Sequence, residues 1–336
     1  MISFQLGINK GAGFYMAESN YLVTGAAGFI GSHLVEALLA RGGRVVGLDN
    51  LDDFYAPAIK RRNVESAIAS DRFRMVEGDI RDTALVEDIL RSGRIGTVFH
   101  LAARAGVRPS VENPFLYQSV NVEGTLSVLE AMRKAEVKRL LFASSSSVYG
   151  DSSNPPFRET DMVDSPISPY AATKKAGEML CHAYHHLHGM DMAILRFFTA
   201  YGPRQRPEMA IHKFTRIIAD GGEIPMFGDG STARDYTYIE DIIQGMLSIE
   251  SNLHGYHILN LGESDTTTLS EMIGMIGAAL GREPRIRRLP AQQGDATITR
   301  ADITAARALG YRPSTPIAEG IRKFVAWYHA QQVEAN

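Results

Sequence analysis

A serine-rich turn and a tyrosine–lysine pair give this chain residues suited to chemistry on an alcohol. The four serines at 144–147 are followed, after a loop, by Tyr170 and Lys174 in a helix expected to begin near Pro169. One helical turn separates Tyr170 from Lys174, so their side chains share a face of the helix. A phenol with a pKa of about 10 is a weak base at neutral pH, but a neighbouring ammonium favours its ionised form. The pattern predicts that Tyr170 shuttles the proton of a hydroxyl group while Lys174 keeps the phenol acidic.

The serine run supplies a second hydroxyl for the same substrate oxygen. We assign the catalytic role to Ser145, and the register of the run leaves the serine on either side as an alternative. Ser146 and Ser147 are expected in part to make the local side-chain-to-backbone hydrogen bonds typical of such turns. A carbinol that gives up its proton in this way can also lose a hydride, so the chemistry requires a hydride acceptor.

The N-terminal part of the chain predicts a site for that acceptor. Tyr21–Val23 has the composition of a buried strand, and the glycine-rich turn Thr24–Gly31 leads from it into a helix that runs to about Arg41. Glycines let the backbone approach a pyrophosphate, whose charge is stabilised by a helix N-terminus. A second apolar strand, Val45–Asp49, ends in an acid that would accept the ribose hydroxyls of NAD and repel the 2′-phosphate of NADP. This order of elements predicts an NAD site.

Three later apolar segments, 73–76, 97–101 and 139–143, fit the same parallel sheet. Each ends in small or polar residues, at the edge where ligands bind in doubly wound folds. We therefore expect Asp79 near the adenine, and the backbone of Ala102 and Ala103 close to the cofactor. The expected cofactor contacts are Gly25, Gly28, Phe29, Ile30, Gly31, Asp49, Asn50, Asp79, Ile80, Leu101, Ala102, Ala103, Asn121, Tyr170 and Lys174.

Together these motifs resemble the extended short-chain dehydrogenase/reductase superfamily, and within it the nucleotide-sugar epimerases, over about residues 20–330. Beyond the glycine turn and the Tyr-x-x-x-Lys pair, the resemblance is carried by segments 48–55, 100–108, 196–199, 202–209 and 234–238. It is strongest to enzymes that invert C4 of UDP-glucuronate. The resemblance implies a Rossmann-type doubly wound parallel α/β sheet, tightly bound NAD, a transient 4-keto sugar and a homodimer built from helices near 114–134 and 171–188.

The reaction type is indicated by the three positions that precede Val148. In sugar-nucleotide 4,6-dehydratases they read Thr-Asp-Glu, and in UDP-glucuronate decarboxylases they read Thr-Ser-Glu. Here they are Ser145, Ser146 and Ser147. Because eliminating water needs an acid and a base, a site without these carboxylates is suited to oxidation and reduction, which favours epimerisation.

The resemblance also implies which side chains bind the sugar nucleotide. The residues that match Thr199 and Arg206 hold the sugar carboxylate in the uronate enzymes, a task that suits a planar guanidinium. The alternative for Arg206 is a surface arginine in a proline-bounded loop, and for Phe227 a core position. The expected substrate contacts are Arg108, Ser145, Ser146, Thr199, Arg206, Phe227, Arg234 and Asp295. UDP-glucuronate is the favoured substrate, and UDP-glucose or UDP-N-acetylglucosamine is the alternative.

Length and periodicity predict two lobes. The chain has 336 residues, which is enough for a large core and a second lobe. We divide it into an extension over 1–19, an NAD-binding domain over about 20–200, and a smaller α/β lobe over 201–336 that mainly binds substrate. In the last part, helices at 210–220, 238–249, 269–280 and 317–328 alternate with short strands at 225–227 and 256–261.

Charge and composition exclude several partner classes. A net charge of −3 with scattered basic residues predicts no nucleic-acid or anionic-membrane surface. No apolar run approaches the eighteen or so residues of a transmembrane helix. The single cysteine, Cys181, cannot form an internal disulfide, so we expect a cytoplasmic protein. Four histidines on one helix, His182, His185, His186 and His188, lack accompanying carboxylates or thiolates, so we expect a surface there and no metal.

Two other classes stay open. A NAD-bound scaffold without catalysis would have lost Tyr170 or Lys174, and both are present. A net oxidoreductase would exchange NAD freely and accumulate NADH.

Overall fold

A computed structural model describes residues 19–151, 155–290 and 298–334 of the chain. The extension predicted over 1–19 therefore lies almost wholly outside the described residues.

A parallel sheet forms the centre of the larger lobe. Its seven strands run in the order β11-β6-β5-β4-β1-β2-β3, and every neighbouring pair is parallel. The strands are almost continuously apolar because helices cover both faces of the sheet. They are β1 (Asn20–Thr24), β2 (Arg44–Asp49), β3 (Phe73–Glu77), β4 (Thr97–His100), β5 (Arg139–Ser145), β6 (Asp191–Phe197) and β11 (Tyr256–Leu261).

The chain order reverses between β1 and β4, which makes this edge of the sheet the point where a ligand is expected. Both strands end there in short turns. The surrounding helices are α1 (Phe29–Ala40), α2 (Pro57–Asn63), α3 (Glu65–Ile68), α4 (Thr83–Ser92), α5 (Val107–Glu112), α6 (Pro114–Tyr117), a π-helical segment (Gln118–Glu123), α7 (Gly124–Lys134), a 3₁₀ turn (Ser146–Tyr149), α8 (Pro169–His188) and α10 (Ile239–Ser251).

A smaller lobe is built from short strand pairs and three packed helices. In it β8 pairs with β13, β9 with β12, and β7 with β10, while α11 packs on both α9 and α13. Its elements are β7 (Thr199–Tyr201), α9 (Ala210–Ala219), β8 (Glu223–Phe227), β9 (Ala233–Arg234), β10 (Tyr236–Tyr238), β12 (Thr267–Thr268), α11 (Leu269–Leu280), β13 (Arg285–Leu289), α12 (Thr304–Ala308) and α13 (Ile317–Glu334).

One strand lies elsewhere than the sequence predicts. The segment 256–261 was expected in the smaller lobe, but β11 pairs with β6 at the edge of the main sheet. Its register is set by residues far away in the chain, such as Leu259 opposite Leu195. Local periodicity identifies such a strand without identifying its partner. The predicted class, a doubly wound parallel α/β sheet with a smaller lobe, is confirmed.

Candidate active site

A cavity of about 420 Å³ opens at the carboxyl ends of the parallel strands. One side, which we call the cofactor half, consists of the glycine turn after β1 and the loops after β2, β3 and β4. The other side, which we call the sugar half, consists of the serine turn after β5, the first turn of α8 and the lining residues within 197–209.

Glycine is required at two positions of the cofactor half. Gly25 has φ +70, and a Cβ there would lie 2.9 Å from the backbone nitrogen of Ala102. A Cβ on Gly31 would lie 2.1 Å from the Gly25 carbonyl oxygen. The turn therefore packs tightly onto the loop after β4 and onto α1. The N-terminus of α1 lines the cavity through Gly28, Phe29 and Ile30. It is a site for an anion, and no acidic side chain in the first turn of α1 opposes one.

Asp49 ends β2 with its carboxylate held by the backbone. Its Oδ2 accepts from the amide of Ala27 at 3.1 Å and its Oδ1 from the amide of Leu51 at 2.9 Å. Each carboxylate oxygen keeps a further lone pair, so the group can still accept two hydroxyl donors. Burial is the main cause that raises the pKa of Asp49, and the ammonium of Lys60 lowers it.

In the sugar half, Ser145 and Tyr170 both line the cavity, and the Ser145 hydroxyl, which donates to Ser147 Oγ at 3.1 Å, lowers the pKa of the phenol. The serine on one side of Ser145 is engaged elsewhere, because the hydroxyl of Ser144 donates to Glu178 at 2.6 Å. On the other side, Ser146 lines the cavity as the first residue of the 3₁₀ turn. Ser145 itself caps this turn by accepting from the Ser147 amide at 3.2 Å.

Lys174 shares a helix face with Tyr170, but its ammonium does not bond to the phenol. It donates to the carbonyl oxygen of Ala143 at 2.7 Å, and burial lowers its pKa to about 8. Burial raises the pKa of Tyr170, which is lowered in turn by the neighbouring Ser145 hydroxyl and the charge of Arg206. Arg206 is thus a cation near the phenol that the sequence did not predict, and the role of Lys174 in keeping the phenol acidic stays a prediction.

Arg206 reaches the cavity wall near that phenol. Its Nε lies 2.8 Å from Glu208 Oε1, and its guanidinium lies 5.7 Å from the centroid of the Phe54 ring. Among the described residues, none forms a hydrogen bond with its two terminal nitrogens. Thr199, at the start of β7, lines the same cavity. The sugar half therefore contains a guanidinium with two donor groups still available.

Known proteins with the same fold and sequence pattern identify the family. A family model described as GDP-mannose 4,6 dehydratase matches residues 22–324. UDP-glucuronate 4-epimerase of Thermodesulfobacterium geofontis is 42% identical over 91% of this chain and 95% of the relative. The chain belongs to the nucleotide-sugar epimerases of the extended short-chain dehydrogenase/reductase superfamily.

Two solved structures give the same result. UDP-glucuronic acid 4-epimerase from Bacillus cereus, in complex with UDP-glucuronic acid and NAD, has a TM-score of 0.86 at 35% identity, covering 93% of this chain and 99% of that chain. UDP-glucose 4-epimerase from Thermotoga maritima, with UDP-glucose, has a TM-score of 0.83 at 32% identity, again covering 93% and 99%.

In this epimerase most of the predicted site residues share one cavity. They are Gly25, Gly28, Phe29, Ile30, Gly31, Asp49, Asn50, Asp79, Ile80, Leu101, Ala102, Ala103, Ser145, Ser146, Tyr170, Lys174, Thr199 and Arg206. The carboxylate of Asp79 is bound by Arg81 at 2.7 Å.

Four other predicted residues that the structure describes do not line the cavity. Asn121 is buried behind it, where its side chain accepts from the Arg104 amide at 2.8 Å and donates to the Arg104 carbonyl at 3.0 Å. Arg108, Phe227 and Arg234 do not line the cavity. Asp295 lies outside the described residues.

Sequence reasoning missed a cluster that closes the cofactor half. Asp52 forms an ion pair with Arg104, whose guanidinium lies 5.1 Å from the Phe54 ring centroid. Lys60 lies 4.9 Å from the centroid of the Tyr55 ring, and the buried Tyr55 hydroxyl has no hydrogen-bond partner among the described residues. The sequence signal for Asp52, Phe54 and Tyr55 is their position soon after the acid that ends β2, and Arg104 follows β4 in the same way.

The histidines of α8 pack on an aromatic ring. The centroids of His182 and His185 lie 5.1 and 5.4 Å from that of Tyr256. Within the described ranges, no group of three or more His, Cys, Asp or Glu side chains could hold a metal ion. No helix there is long and apolar enough to cross a membrane.

Proposed function

We propose that this protein inverts C4 of UDP-glucuronate to give UDP-galacturonate, with NAD as a resident cofactor. The observation that carries the choice of sugar is Arg206, which has two donor groups without a partner among the described residues, beside Tyr170 and Ser145. A neutral hexose leaves such a guanidinium without a charged partner, whereas a uronate carboxylate can bind it in bidentate fashion. The similarity to uronate epimerases supports the same choice.

The cofactor half fits NAD. Gly25 and Gly31 allow the backbone to approach a pyrophosphate at the start of α1, and Asp49 retains acceptor capacity for ribose hydroxyls. When bound, NAD supplies the acceptor, and later the donor, of the C4 hydride.

The residues of the sugar half are suited to transfer the proton of the 4-hydroxyl group. We assign to Tyr170 the removal of the 4-hydroxyl proton while hydride leaves C4, and to Ser145 a hydrogen bond to the same oxygen. Arg206 supports this role because its charge lowers the pKa of the phenol. The 4-keto sugar then rotates within the cavity, so that the hydride returns to the opposite face of C4 and the proton to its oxygen. Atoms and electrons therefore balance without net oxidation.

Arg206 also has a protective role. Oxidising C4 of a uronate produces a β-keto acid, which loses CO₂ when its carboxylate bond aligns with the ketone π system. A carboxylate fixed by Arg206 and Thr199 is held out of that alignment. The carboxylates that line the cavity, Asp49, Asp52 and Asp79, all lie on the cofactor half, so no described lining residue of the sugar half supplies an acid for elimination.

The assembly and the compartment extend the proposal. Large apolar side chains are exposed on the neighbouring helices α5 to α8, with Val111 at 64%, Phe115 at 85%, Met179 at 63% and Leu187 at 68%. Pairing of this surface about a two-fold axis would bury them in a homodimer.

We place the enzyme in the cytoplasm because its one cysteine, Cys181, is free and buried.

Incubation of the purified protein with UDP-glucuronate, without added NAD, tests the proposal. We expect UDP-galacturonate by NMR, and UDP-glucose to be converted at least tenfold more slowly, since a lost charge-assisted contact costs about 1.5–3 kcal/mol. Faster conversion of UDP-glucose or UDP-N-acetylglucosamine would show that this hexose, and not the uronate, is the substrate. Stoichiometric NADH without an epimer would indicate a net oxidoreductase.

A further inference from the structure

A buried ion pair lies directly behind the serine turn, outside the cavity. Arg196 on β6 donates to Glu178 on α8 through Nε at 2.9 Å and Nη2 at 2.8 Å. The two side chains are 1% and 2% exposed. Removing two charges from water is expensive, and such a pair is often no more stable than apolar residues of the same volume. Stability alone is therefore a weak reason for placing it there.

A third residue, Ser144 near the end of β5, is bonded to this ion pair. The Ser144 hydroxyl donates to Glu178 Oε1 at 2.6 Å, the same oxygen that accepts from Arg196 Nε. Successive residues of a strand point to opposite faces. Fixing Ser144 therefore also fixes the direction in which Ser145 points.

Glu178 lies one helical turn beyond Lys174, and Lys174 lies one turn beyond Tyr170, so all three share a face of α8. Two of them bind consecutive residues of β5, because Lys174 donates to the Ala143 carbonyl at 2.7 Å while Glu178 accepts from Ser144. The third, Tyr170, lies with Ser145 in the wall of the cavity. Successive turns of α8, which carries the phenol, thus contact successive residues of β5, which carries the catalytic serine.

The far side of the turn is held by the same cluster. The Arg196 guanidinium lies 4.9 Å from the centroid of the Tyr149 ring, and Tyr149 closes the 3₁₀ turn that Ser145 caps. The Tyr149 hydroxyl donates to Asn260 on β11 at 2.7 Å. The cluster therefore contacts the serine turn at both ends.

We propose that Ser144, Glu178 and Arg196 are positioning residues of the reaction, which set the geometry between the Ser145 and Tyr170 hydroxyls. Glu178 and Arg196 do not line the cavity, and Ser144, which does, directs its hydroxyl to Glu178. Ser144 is the member that transmits the position to Ser145. The proposal rests on the proposed oxidation at C4 and adds residues that act through Ser145. Misplacing a reacting group by about 1 Å can lower the rate a hundredfold. Losing a hydrogen bond that fixes this geometry should therefore slow the reaction strongly.

Ser144→Ala is the decisive variant, because it removes one hydrogen bond and leaves both charges of the pair in place. Its matched control is Ser127→Ala, which deletes another buried serine hydroxyl, bonded to Thr83 at 2.8 Å on the α4–α7 contact. We expect Ser144→Ala to lower kcat roughly ten- to a hundredfold with KM and bound NAD unchanged, and Ser144→Thr to restore most of the rate. Ser127→Ala should keep its turnover.

Rates are measured on whichever UDP-sugar the wild-type protein epimerises, together with thermal stability. A wild-type protein without epimerase activity refutes the proposed function. With an active wild type, the positioning role is overturned by any of three results: equal kcat for the two alanine variants, a Ser144→Ala defect confined to KM, or a Ser144→Thr protein as slow as Ser144→Ala.

Discussion

The two halves of the cavity are built differently. In the cofactor half, contacts come mainly from the turns at the strand ends: a glycine turn, a helix N-terminus and the acid Asp49, which the amides of Ala27 and Leu51 hold. In the sugar half, single side chains from separate elements converge, with Ser145 from β5, Tyr170 from α8 and Arg206 from the loop after β7. The cofactor half depends on local conformation, whereas the sugar half depends on tertiary packing that brings distant residues together.

The difference teaches where chemistry and selectivity can change. Substituting a glycine of the turn disturbs the backbone and with it the whole cofactor half. Substituting Arg206 changes one contact in a wall that otherwise remains. A family of this kind can therefore keep one cofactor site while its members accept different sugars.

The sharpest way to separate the halves is Tyr170→Phe. General acid–base groups contribute about 10²- to 10⁴-fold to rate, so we expect turnover to fall by that factor. Bound NAD should stay near the wild-type amount because the ring still fills its place in the wall. Turnover and cofactor content are measured on the same preparation, and a variant with near-normal turnover would contradict the assignment.

A smaller effect is expected from Arg206→Ala, with Arg204→Ala as its matched control. Arg204 is a nearby arginine of the same loop, but it pairs with Glu36 at 2.6 Å, away from the cavity. Arg206→Ala should slow the epimerisation of UDP-glucuronate roughly ten- to a hundredfold and release a decarboxylated 4-keto pentose. The epimerisation of UDP-glucose should slow less, because that sugar loses only the charge that lowers the pKa of Tyr170.

The products and rates of both arginine variants are followed by NMR. Equal losses on both sugars for Arg206→Ala, without decarboxylation, would mean that Arg206 is structural. Arg204→Ala should behave as wild type on both sugars.

The smallest effect is expected at His100, the last residue of β4. His100 is buried between the Thr24 and Thr125 hydroxyls, at 2.7 and 3.1 Å. Since Thr125 donates to the Asn121 carbonyl, it accepts from His100 Nε2, which leaves Nδ1 to accept from Thr24 in a neutral ring. Burial lowers the pKa of His100 to about 3.

Because the unfolded chain protonates this ring near the ordinary histidine pKa of 6.5 and the folded chain only near 3, stability falls as pH drops from the first value to the second. The slope is about 1.4 kcal/mol per pH unit. His100→Gln should therefore reduce the loss of unfolding free energy between pH 6.5 and pH 5 by about 2 kcal/mol. Denaturant unfolding at the two pH values measures it, and the exposed His186→Gln should leave the loss unchanged.

The contrast also explains what could be read from the sequence. In the cofactor half, the sequence predicted β1, the glycine turn, α1 and Asp49, because these are local patterns with a fixed spacing, but it missed the cluster that closes this half. Elements with strong periodicity, such as α11, were predicted with their bounds. The pairing of β11 with β6 was missed because a register between distant strands leaves no local signal.

Side-chain partners were the least predictable feature. The spacing of Tyr170 and Lys174 placed both on one face of α8, yet it did not show that Lys174 bonds to the Ala143 carbonyl. The cluster of Asp52, Phe54 and Arg104 likewise forms only when the loops after β2 and β4 meet. Such contacts depend on the packed fold rather than on spacing.

The most direct test of the account follows the hydrogen on C4. UDP-glucuronate that carries deuterium at C4 is incubated with the protein in ordinary water, without added NAD, and the epimer is examined by NMR. A hydride that leaves C4 and returns to it inside the cavity should give UDP-galacturonate that retains the deuterium. UDP-galacturonate with protium at C4 would contradict the account, because inversion would then proceed by exchange with solvent.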